Sequence, residues 1–89
     1  MKLDVGCGDR PRGDVNTDLF VGWTPHLDRT DGIVNPKIIP NFVRCDAHYL
    51  PFIERIFDES FCSHVLEHIE NPAEAIKELV RVTKNDVTI

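Results

Sequence analysis

Short apolar runs alternate with turn-forming residues along the chain, and this pattern predicts a series of short strands. The run Lys2–Val5 ends at a glycine-containing turn, and residues 14–19 predict a weaker second strand. Residues 41–46 predict a third strand, and residues 57–65 contain a fourth. Residues 86–89 have the composition of a fifth strand at its opening. The prolines and glycines of residues 20–40 leave room only for a short helix near residues 26–33.

One later segment has the periodicity of an amphipathic helix. Asn71 is expected to cap its first turn through its side chain, with Pro72 at the first helical position and Glu74 at the capping-box position. Apolar side chains recur every three or four residues and predict the face that packs on the sheet: Ala73, Ile76, Leu79, Val80 and Thr83. Charged side chains three residues apart are expected to pair on the other face, Glu74 with Lys77 and Glu78 with Arg81.

Strands joined by crossovers predict an α/β fold with a mainly parallel sheet of about four to five strands. Such sheets bind ligands beyond the carboxyl ends of their strands. The candidate site is therefore expected where the predicted strands end: residues 6–9, 18–19, 46–47 and 63–67.

Length and composition narrow the class of protein. The chain has 89 residues, enough for one small domain that we assign to residues 1–89. Its apolar runs are far shorter than a membrane-spanning helix, and the first residues lack the pattern of a secretion signal. The three cysteines Cys7, Cys45 and Cys62 form no CxxC pair and are interpreted as reduced, small, buried residues. These features together predict a soluble cytoplasmic protein without a membrane partner.

The net charge of −5 argues against a general nucleic-acid binder, because that function needs clustered basic side chains. The excess of acidic residues lies in the second half of the chain, where residues 46–89 carry four basic and nine acidic side chains. Arg10 and Arg12 come nearest to a basic cluster, and we interpret them as part of a solvated loop.

The glycine pair after the first strand predicts close approach of a ligand to the backbone. Gly6 and Gly8 have no Cβ, so the chain can turn sharply there. A dinucleotide-binding sequence would place a third glycine where Pro11 stands. The nearby carboxylates Asp4 and Asp9 would also repel a pyrophosphate, which favours a nucleoside with a cationic or zwitterionic group.

Two further carboxylates end the second and third strands. Asp18 can accept two hydrogen bonds from ribose hydroxyls, although a solvated turn residue would explain it equally well. Asp46 could accept a hydrogen bond from an adenine amino group, and the small Ala47 would let the ring lie close to the backbone.

Taken in order, these segments resemble class I methyltransferases that use S-adenosylmethionine. Residues 3–8 are similar to the family's glycine-rich first motif, residues 16–18 to its second-strand acid, and residues 45–52 to its adenine-side motif. Three later segments are similar to the family's fourth strand, its LEH segment and its helix ending in an ExxRVxK run: residues 57–61, 64–68 and 78–84. The resemblance implies a Rossmann-like fold with S-adenosylmethionine as cofactor, and methyl transfer as the activity.

The resemblance also implies which residues bind the cofactor: Asp4, Gly6, Cys7, Gly8, Asp18, Asp46, Ala47, Ser63 and His64. The glycine loop would pass under the methionine part, with Asp4 orienting the amino group. Asp18 would hold the ribose, Asp46 and Ala47 would flank the adenine, and Ser63 with the next residue would line the methyl-bearing side.

No catalytic residue is assigned, because methyl transfer from a sulfonium mainly requires that donor and acceptor be oriented. His64 or Glu67 could remove a proton from an acceptor that needs it, but we favour a structural role for both. Residues 64–68 also fit the HxxEH pattern of a class of metalloproteases. No metal site is expected, because this segment leaves a strand and Pro72 follows closely.

The sequence lacks segments that family members generally have: a helix before the first strand, a helix between the first two strands, and further strands after the fifth. We therefore expect a fold that is incomplete relative to the full methyltransferase fold and truncated at the C-terminus. An alternative function is a non-catalytic S-adenosylmethionine-binding or regulatory module that pairs with a second copy or another partner through its open sheet edge. The sequence does not identify a methyl acceptor.

Overall fold

The computed structural model describes residues 1–19, 38–63 and 65–89. Within these ranges one sheet contains the strands β1 (Lys2–Val5), β2 (Val15–Asp18), β3 (Phe42–Arg44), β4 (Phe57–Cys62) and β5 (Thr83–Thr88). Helix α1 (Pro72–Val82) precedes β5, and a single 3-10 turn (Leu66–His68) follows β4. The strand order is β3-β2-β1-β4-β5 and the pairings are parallel, so the predicted parallel α/β sheet is confirmed. The short helix predicted near residues 26–33 lies outside the described residues.

The strand order places a topological switch point between β1 and β4. From β1 the chain builds outward through β2 and β3, and it then returns to the other side of β1 to form β4 and β5. Val5 lies in register with Thr17 of β2 and with Cys62 of β4. The carboxyl ends of these three strands are therefore level, and the segments that follow them leave the sheet at the same edge.

The main core lies between one face of the sheet and α1. Leu3 and Val5 of β1 and Phe57 of β4 are buried in a cluster with three residues of α1: Ala75, Leu79 and Val82. Phe52 packs edge-on against Phe57 with ring centroids 5.0 Å apart. Strand alternation turns Asp4, between Leu3 and Val5, toward the opposite face.

The predicted packing face of α1 is wrong in part. Leu79 is fully buried as predicted, but Val80 is 61% exposed and Ile76 is 37% exposed. The helix carries two neighbouring apolar stripes, and it is rotated so that the stripe through Ala75 and Val82 meets the sheet. Ala75 is fully buried in this interface, and the sequence pattern alone does not distinguish this orientation of the helix from its neighbour.

The start of α1 also differs from the prediction. Pro72 is the first helical residue as expected, but Asn71 adopts a left-handed conformation (φ 49°) and makes no capping bond through its side chain. Instead its backbone carbonyl accepts a hydrogen bond from the amide of Glu74 at 3.0 Å. A side-chain cap normally needs extended backbone at this position, which the left-handed turn does not supply.

Both predicted ion pairs of α1 are confirmed, and they differ in surroundings. Lys77 Nζ lies 3.4 Å from Glu74 in an exposed pair, whereas Arg81 Nε lies 2.6 Å from Glu78 and both side chains are largely covered. Arg81 also donates to the carbonyls of Leu50 and Phe52, at 2.9 and 2.8 Å. Glu78 accepts from the Leu50 amide. The Glu78–Arg81 pair therefore holds the segment after β3 against α1. The hydrogen bonds that Glu78 accepts from Arg81 and from the Leu50 amide lower the pKa of Glu78.

Residues 6–14, all of them described, join β1 to β2 without a helix, as Pro11 and Gly13 predicted. The last part of this connection, residues 10–14, folds back along β1 and is called the return segment below. The Asp14 amide donates to the Lys2 carbonyl at 2.8 Å. A Cβ on Gly13 would lie only 2.6 Å from the Val15 carbonyl oxygen and 2.7 Å from the Asp4 amide nitrogen, so glycine is required for this close approach.

Strand β5 begins three residues earlier than the sequence indicated, directly after α1 ends at Val82. Thr83 explains the sharp boundary: its hydroxyl donates to the Leu79 carbonyl and is 2.6 Å from the Ser60 hydroxyl of β4. These buried bonds join the end of the helix to the neighbouring strand. In the described part of the chain, no helix is long and apolar enough to cross a membrane.

Candidate cofactor site

Several of the predicted site residues lie at the carboxyl edge of the sheet. Gly6, Asp18 and Ser63 directly follow or end the aligned strands β1, β2 and β4. The Cys45 amide donates to the Asp18 carbonyl at 3.2 Å, so β3 delivers Asp46 to the same edge. His64, the remaining predicted residue, lies outside the described residues.

The glycine loop is fastened to β2 by its backbone amides. The amides of Gly6 and Cys7 both donate to the Thr17 carbonyl, at 2.8 and 2.9 Å. Gly6 and Gly8 have positive φ angles of 73° and 59°, which glycine adopts without strain. A Cβ on Gly6 would overlap Val65 Cγ2, whereas a Cβ on Gly8 would meet open space. Gly6 is therefore needed for packing, and the surface at Gly8 is where a ligand can approach the backbone.

Asp18 is positioned by the glycine loop itself. Its Oδ2 accepts a hydrogen bond from the Gly8 amide at 3.1 Å, and the residue is partly exposed. The carboxylate at the end of β2 thus lies next to the open face of the loop after β1. The bond brings together two motifs that are ten residues apart in the chain, and the binding of ribose hydroxyls by Asp18 stays a prediction.

Asp46 is bound to a histidine that the sequence did not single out. Its Oδ1 accepts from both the His48 amide (2.9 Å) and the His48 ring Nδ1 (2.6 Å), while His48 Nε2 contacts the Glu70 carbonyl. A carbonyl and an ionised carboxylate can only accept hydrogen bonds, so both contacts together require a doubly protonated imidazolium ring. The Glu70 carbonyl and the Asp46 carboxylate raise the pKa of His48, and the bonds from His48 lower the pKa of Asp46. Ala47, which follows Asp46 in the chain, is buried in the main core.

Asp4 lies under the return segment and is almost completely buried. Its Oδ2 accepts from the Arg12 amide at 2.9 Å, and Arg12 Nε lies 3.7 Å from the same oxygen. Its Oδ1 is buried and has no hydrogen-bond partner in the described part of the chain. Burial raises the pKa of Asp4, and the amide and charge of Arg12 oppose this rise. Asp4 therefore depends on Arg12 for compensation of its charge.

Arg12 lies in a loop and its side chain is 48% exposed, as the sequence suggested, but specific contacts also hold this side chain. Its Nη2 donates to the Ser63 hydroxyl at 2.7 Å, and its guanidinium carbon lies 4.9 Å from the centroid of the Phe61 ring. These contacts reach from the return segment on β1 to the end of β4. No local pattern in the sequence predicts these contacts, because Arg12 and Ser63 are 51 positions apart.

The three thiols are free, and two of them are buried as predicted. Burial, together with nearby carboxylates, raises the pKa of Cys7 to about 12 and that of Cys62 to about 11. Cys45 is only partly buried, and burial also raises its pKa. The side chain of Cys7 packs with Ile39 and Phe42 rather than on the main core. Any contribution of Cys7 to ligand binding would therefore come from its backbone.

An open hollow lies at the ends of β4 and β5 and is lined by Cys62, Ser63, Leu66, Glu67 and Ile89. Among the described residues, no group of three or more histidine, cysteine or acidic side chains is arranged to hold a metal ion. The first histidine of the HxxEH pattern is outside those residues, so this finding does not test the pattern itself.

Comparisons with known proteins agree with this geometry. A family model described as a methyltransferase domain matches residues 23–89. A solved structure of an S-adenosylmethionine-dependent methyltransferase from Thermotoga maritima, described as a possible histamine N-methyltransferase, has a TM-score of 0.63 at 16% identity. The YcgJ protein from Bacillus subtilis has a TM-score of 0.58 at 22% identity, and the 4+2 cyclase SpnF has a TM-score of 0.60 at 25% identity. No curated protein matches the chain.

The chain therefore belongs to the methyltransferase domain family, and its fold is that of the class I, S-adenosylmethionine-dependent members. Each of the three solved structures is matched over 93% of this chain, but the chain spans only 39%, 34% and 39% of their respective lengths. The family match begins at residue 23, so the glycine loop and Asp18 lie before it. The cyclase among the neighbours shows that this fold is compatible with more than one reaction.

Proposed function

We propose that this chain binds S-adenosylmethionine at the carboxyl edge of its sheet and serves methyl transfer to an acceptor. The observation that carries the proposal is the meeting of the glycine loop with Asp18 at the end of β2, through the bond from the Gly8 amide to the carboxylate. This pair lies at the ligand-binding edge of a sheet with methyltransferase topology, in a chain that belongs to a methyltransferase family.

The residues present fit the chemistry of the nucleoside. Asp18 would accept hydrogen bonds from the ribose hydroxyls, and the open surface at Gly8 leaves room for the ligand beside it. Asp46 would accept from the adenine amino group through Oδ2, because its Oδ1 already accepts two bonds from His48. Ala47 would contribute its backbone, since its side chain belongs to the core.

The cofactor would supply a methyl group bonded to a positively charged sulfur, which is already activated for displacement. The chain's own contribution would be to orient the donor against the acceptor. Ser63 lies between the glycine loop and the hollow at the ends of β4 and β5, and we assign the methyl-bearing side of the site to this region. His64 belongs to the same proposed side by its position in the sequence. Glu67 lines the hollow and is the described candidate for accepting a proton from an acceptor that must lose one.

The alternative function is a non-catalytic module that pairs through the sheet edge. Within the described residues β5 pairs with β4, and its exposed residues include Lys84, Asn85 and Asp86. Charged side chains on an edge strand oppose pairing with another strand. We therefore rank methyl transfer above this alternative, and we propose a cytoplasmic location, where the three free thiols would remain reduced.

The test is the affinity of the chain for S-adenosylhomocysteine, measured by calorimetric titration. Asp18→Asn should weaken binding by about 1–3 kcal/mol, because a charged acceptor for the ribose hydroxyls is lost. Asp9→Asn is the matched control, since Asp9 is an exposed carboxylate of the same loop. No binding by the unmodified chain, or equal affinity in the Asp18 and Asp9 variants, would refute the proposed site. Sedimentation analysis of the same samples would separate a monomer from an edge-paired dimer.

A further inference from the structure

The ring of His48 joins two segments that are far apart in the chain. Nδ1 lies 2.6 Å from Asp46 Oδ1 in the segment after β3, and Nε2 lies 2.5 Å from the carbonyl of Glu70, just before α1. The ring is largely covered, with 19% of the side chain exposed, whereas the side chain of Asp46 is 40% exposed. The ring is therefore held within the structure, and the carboxylate that it holds is open to a ligand.

Both bonds from His48 end on the same oxygen of Asp46. The backbone amide of His48 donates to Oδ1 at 2.9 Å, in addition to the bond from the ring. The carboxylate cannot rotate about its Cβ–Cγ bond without breaking these contacts, so the position of Oδ2 is set as well. A carboxylate that is oriented in advance loses less conformational freedom when a ligand binds.

The two ring contacts exist together only while the ring carries its proton. A neutral imidazole has one N–H group and can donate to Asp46 or to the Glu70 carbonyl, but not to both. The charged groups that act on the ring are Asp46 and, from the first turn of α1, Glu74, and both favour the imidazolium form. The ring of Tyr49 lies 6.3 Å away. Because folding raises the pKa of His48, the double contact is fully present below pH 6.5 and is lost as the pH rises through the pKa of His48 in the folded state.

We propose that His48 is a positioning residue for the nucleoside site, whose protonated ring orients the Asp46 carboxylate and makes the affinity for an adenosine-containing ligand depend on pH. The proposal rests on the proposed function, because Asp46 meets a ligand only if such a molecule binds at this edge of the sheet. Loss of the proton either removes the ring bond to Asp46 or leaves that bond on a ring no longer anchored at Glu70. Affinity should therefore fall as the pH rises.

The test is the affinity for S-adenosylhomocysteine at pH 6 and at pH 9, measured by calorimetric titration. His48→Gln does not titrate, and its side-chain amide takes the place of Nε2 rather than Nδ1, so the bond to Asp46 is lost. At pH 6 the unmodified chain should bind about three- to tenfold more tightly than His48→Gln, and at pH 9 this ratio should fall toward one. Comparison of both proteins at the same pH removes the titration of the ligand's own amino group.

Two further variants separate positioning from a general effect of losing a histidine. His48→Asn places its amide near Nδ1 and can still donate to Asp46, so it should recover part of the affinity, equally at both pH values. His68→Gln removes another titrating ring, one that is 53% exposed, and should keep the pH dependence of the unmodified chain.

A measurement on the unmodified chain provides the same test should a substitution disturb folding. Linkage between proton and ligand is reciprocal, so S-adenosylhomocysteine should raise the pKa of the His48 ring further, as followed by nuclear magnetic resonance. An equal ratio at both pH values, a larger ratio at pH 9, or a ring pKa that the ligand leaves unchanged would overturn the proposal and leave the proposed function standing. No binding by the unmodified chain at either pH would refute the proposed function and this proposal with it.

Discussion

Replacing one valine of α1 at a time tests which face of the helix packs on the sheet. Val82 is fully buried and Val80 is 61% exposed, although they are the same residue type two positions apart on one helix. Val82→Ala removes two buried methyl groups, worth about 1.6 kcal/mol in transfer free energy before a cavity is counted. The higher helix propensity of alanine returns a few tenths of a kcal/mol up to about 0.5 kcal/mol. The expected net loss of unfolding free energy is therefore about 1.5–2.5 kcal/mol.

Val80→Ala receives the same gain in helix propensity and loses little buried surface, so its unfolding free energy should change by less than about 0.5 kcal/mol. The assay is urea unfolding followed by circular dichroism, with equal slopes required for the two variants. An equal or larger loss in Val80→Ala would refute the orientation of α1 described above. It would instead support the face through Ile76 and Val80 that the sequence periodicity predicted.

Two further predictions concern the loops at the candidate site. Gly13→Ala should destabilise the chain more than Gly8→Ala, as urea unfolding would show. At Gly13 a Cβ meets backbone atoms, whereas at Gly8 it meets open space and the cost is limited to the strain of the positive φ angle. The reverse order would contradict the packing of the return segment on β1. The His48 contacts with Asp46 and Glu70 should stabilise the fold most fully between the ordinary pKa values of 3.8 for Asp46 and 6.5 for His48. Because folding raises the pKa of His48, the stabilisation from its charged ring is fully present below pH 6.5 and is lost as the pH rises through the pKa of His48 in the folded state. Because folding lowers the pKa of Asp46, the stabilisation from its carboxylate is lost as the pH falls through the pKa of Asp46 in the folded state. The difference in unfolding free energy between the unmodified chain and His48→Gln should therefore shrink from pH 6 to pH 9. A constant difference would contradict this prediction, because it would show that the ring contacts do not depend on protonation.

Local sequence signals predicted the strands and the edge at which the site lies. The Lys2–Val5 run and its glycine turn are defined by neighbouring residues, and parallel pairing then places Asp18 and Asp46 at one edge. The segment Phe57–Cys62 was predicted to within a few residues, because its apolar positions and flanking turns are also local. These elements could be predicted because each depends on residues within a short stretch of chain.

Features that depend on distant residues were missed. Arg12 donates a hydrogen bond to Ser63, 51 positions away in the chain, and Arg81 donates to the Leu50 carbonyl, 31 positions away. No local pattern in the sequence predicts contacts over such separations. The His48 contact with the Glu70 carbonyl likewise appears only when the segment after β3 meets the segment before α1, across 22 positions. The orientation of α1 was wrong in part for the same reason, since two adjacent apolar stripes compete and only the sheet decides between them.

We propose that an adenosine-containing ligand binds at the carboxyl edge of the sheet. The most direct measurement is a titration of the isotope-labelled chain with S-adenosylhomocysteine, followed through the backbone amide signals in nuclear magnetic resonance spectra. We expect the largest shifts at Gly8, Asp18 and the Asp46–His48 segment, with little change at Asp14 and Asn41 near the opposite ends of the strands. Shifts concentrated at that opposite edge, or no shifts at saturating ligand, would contradict it.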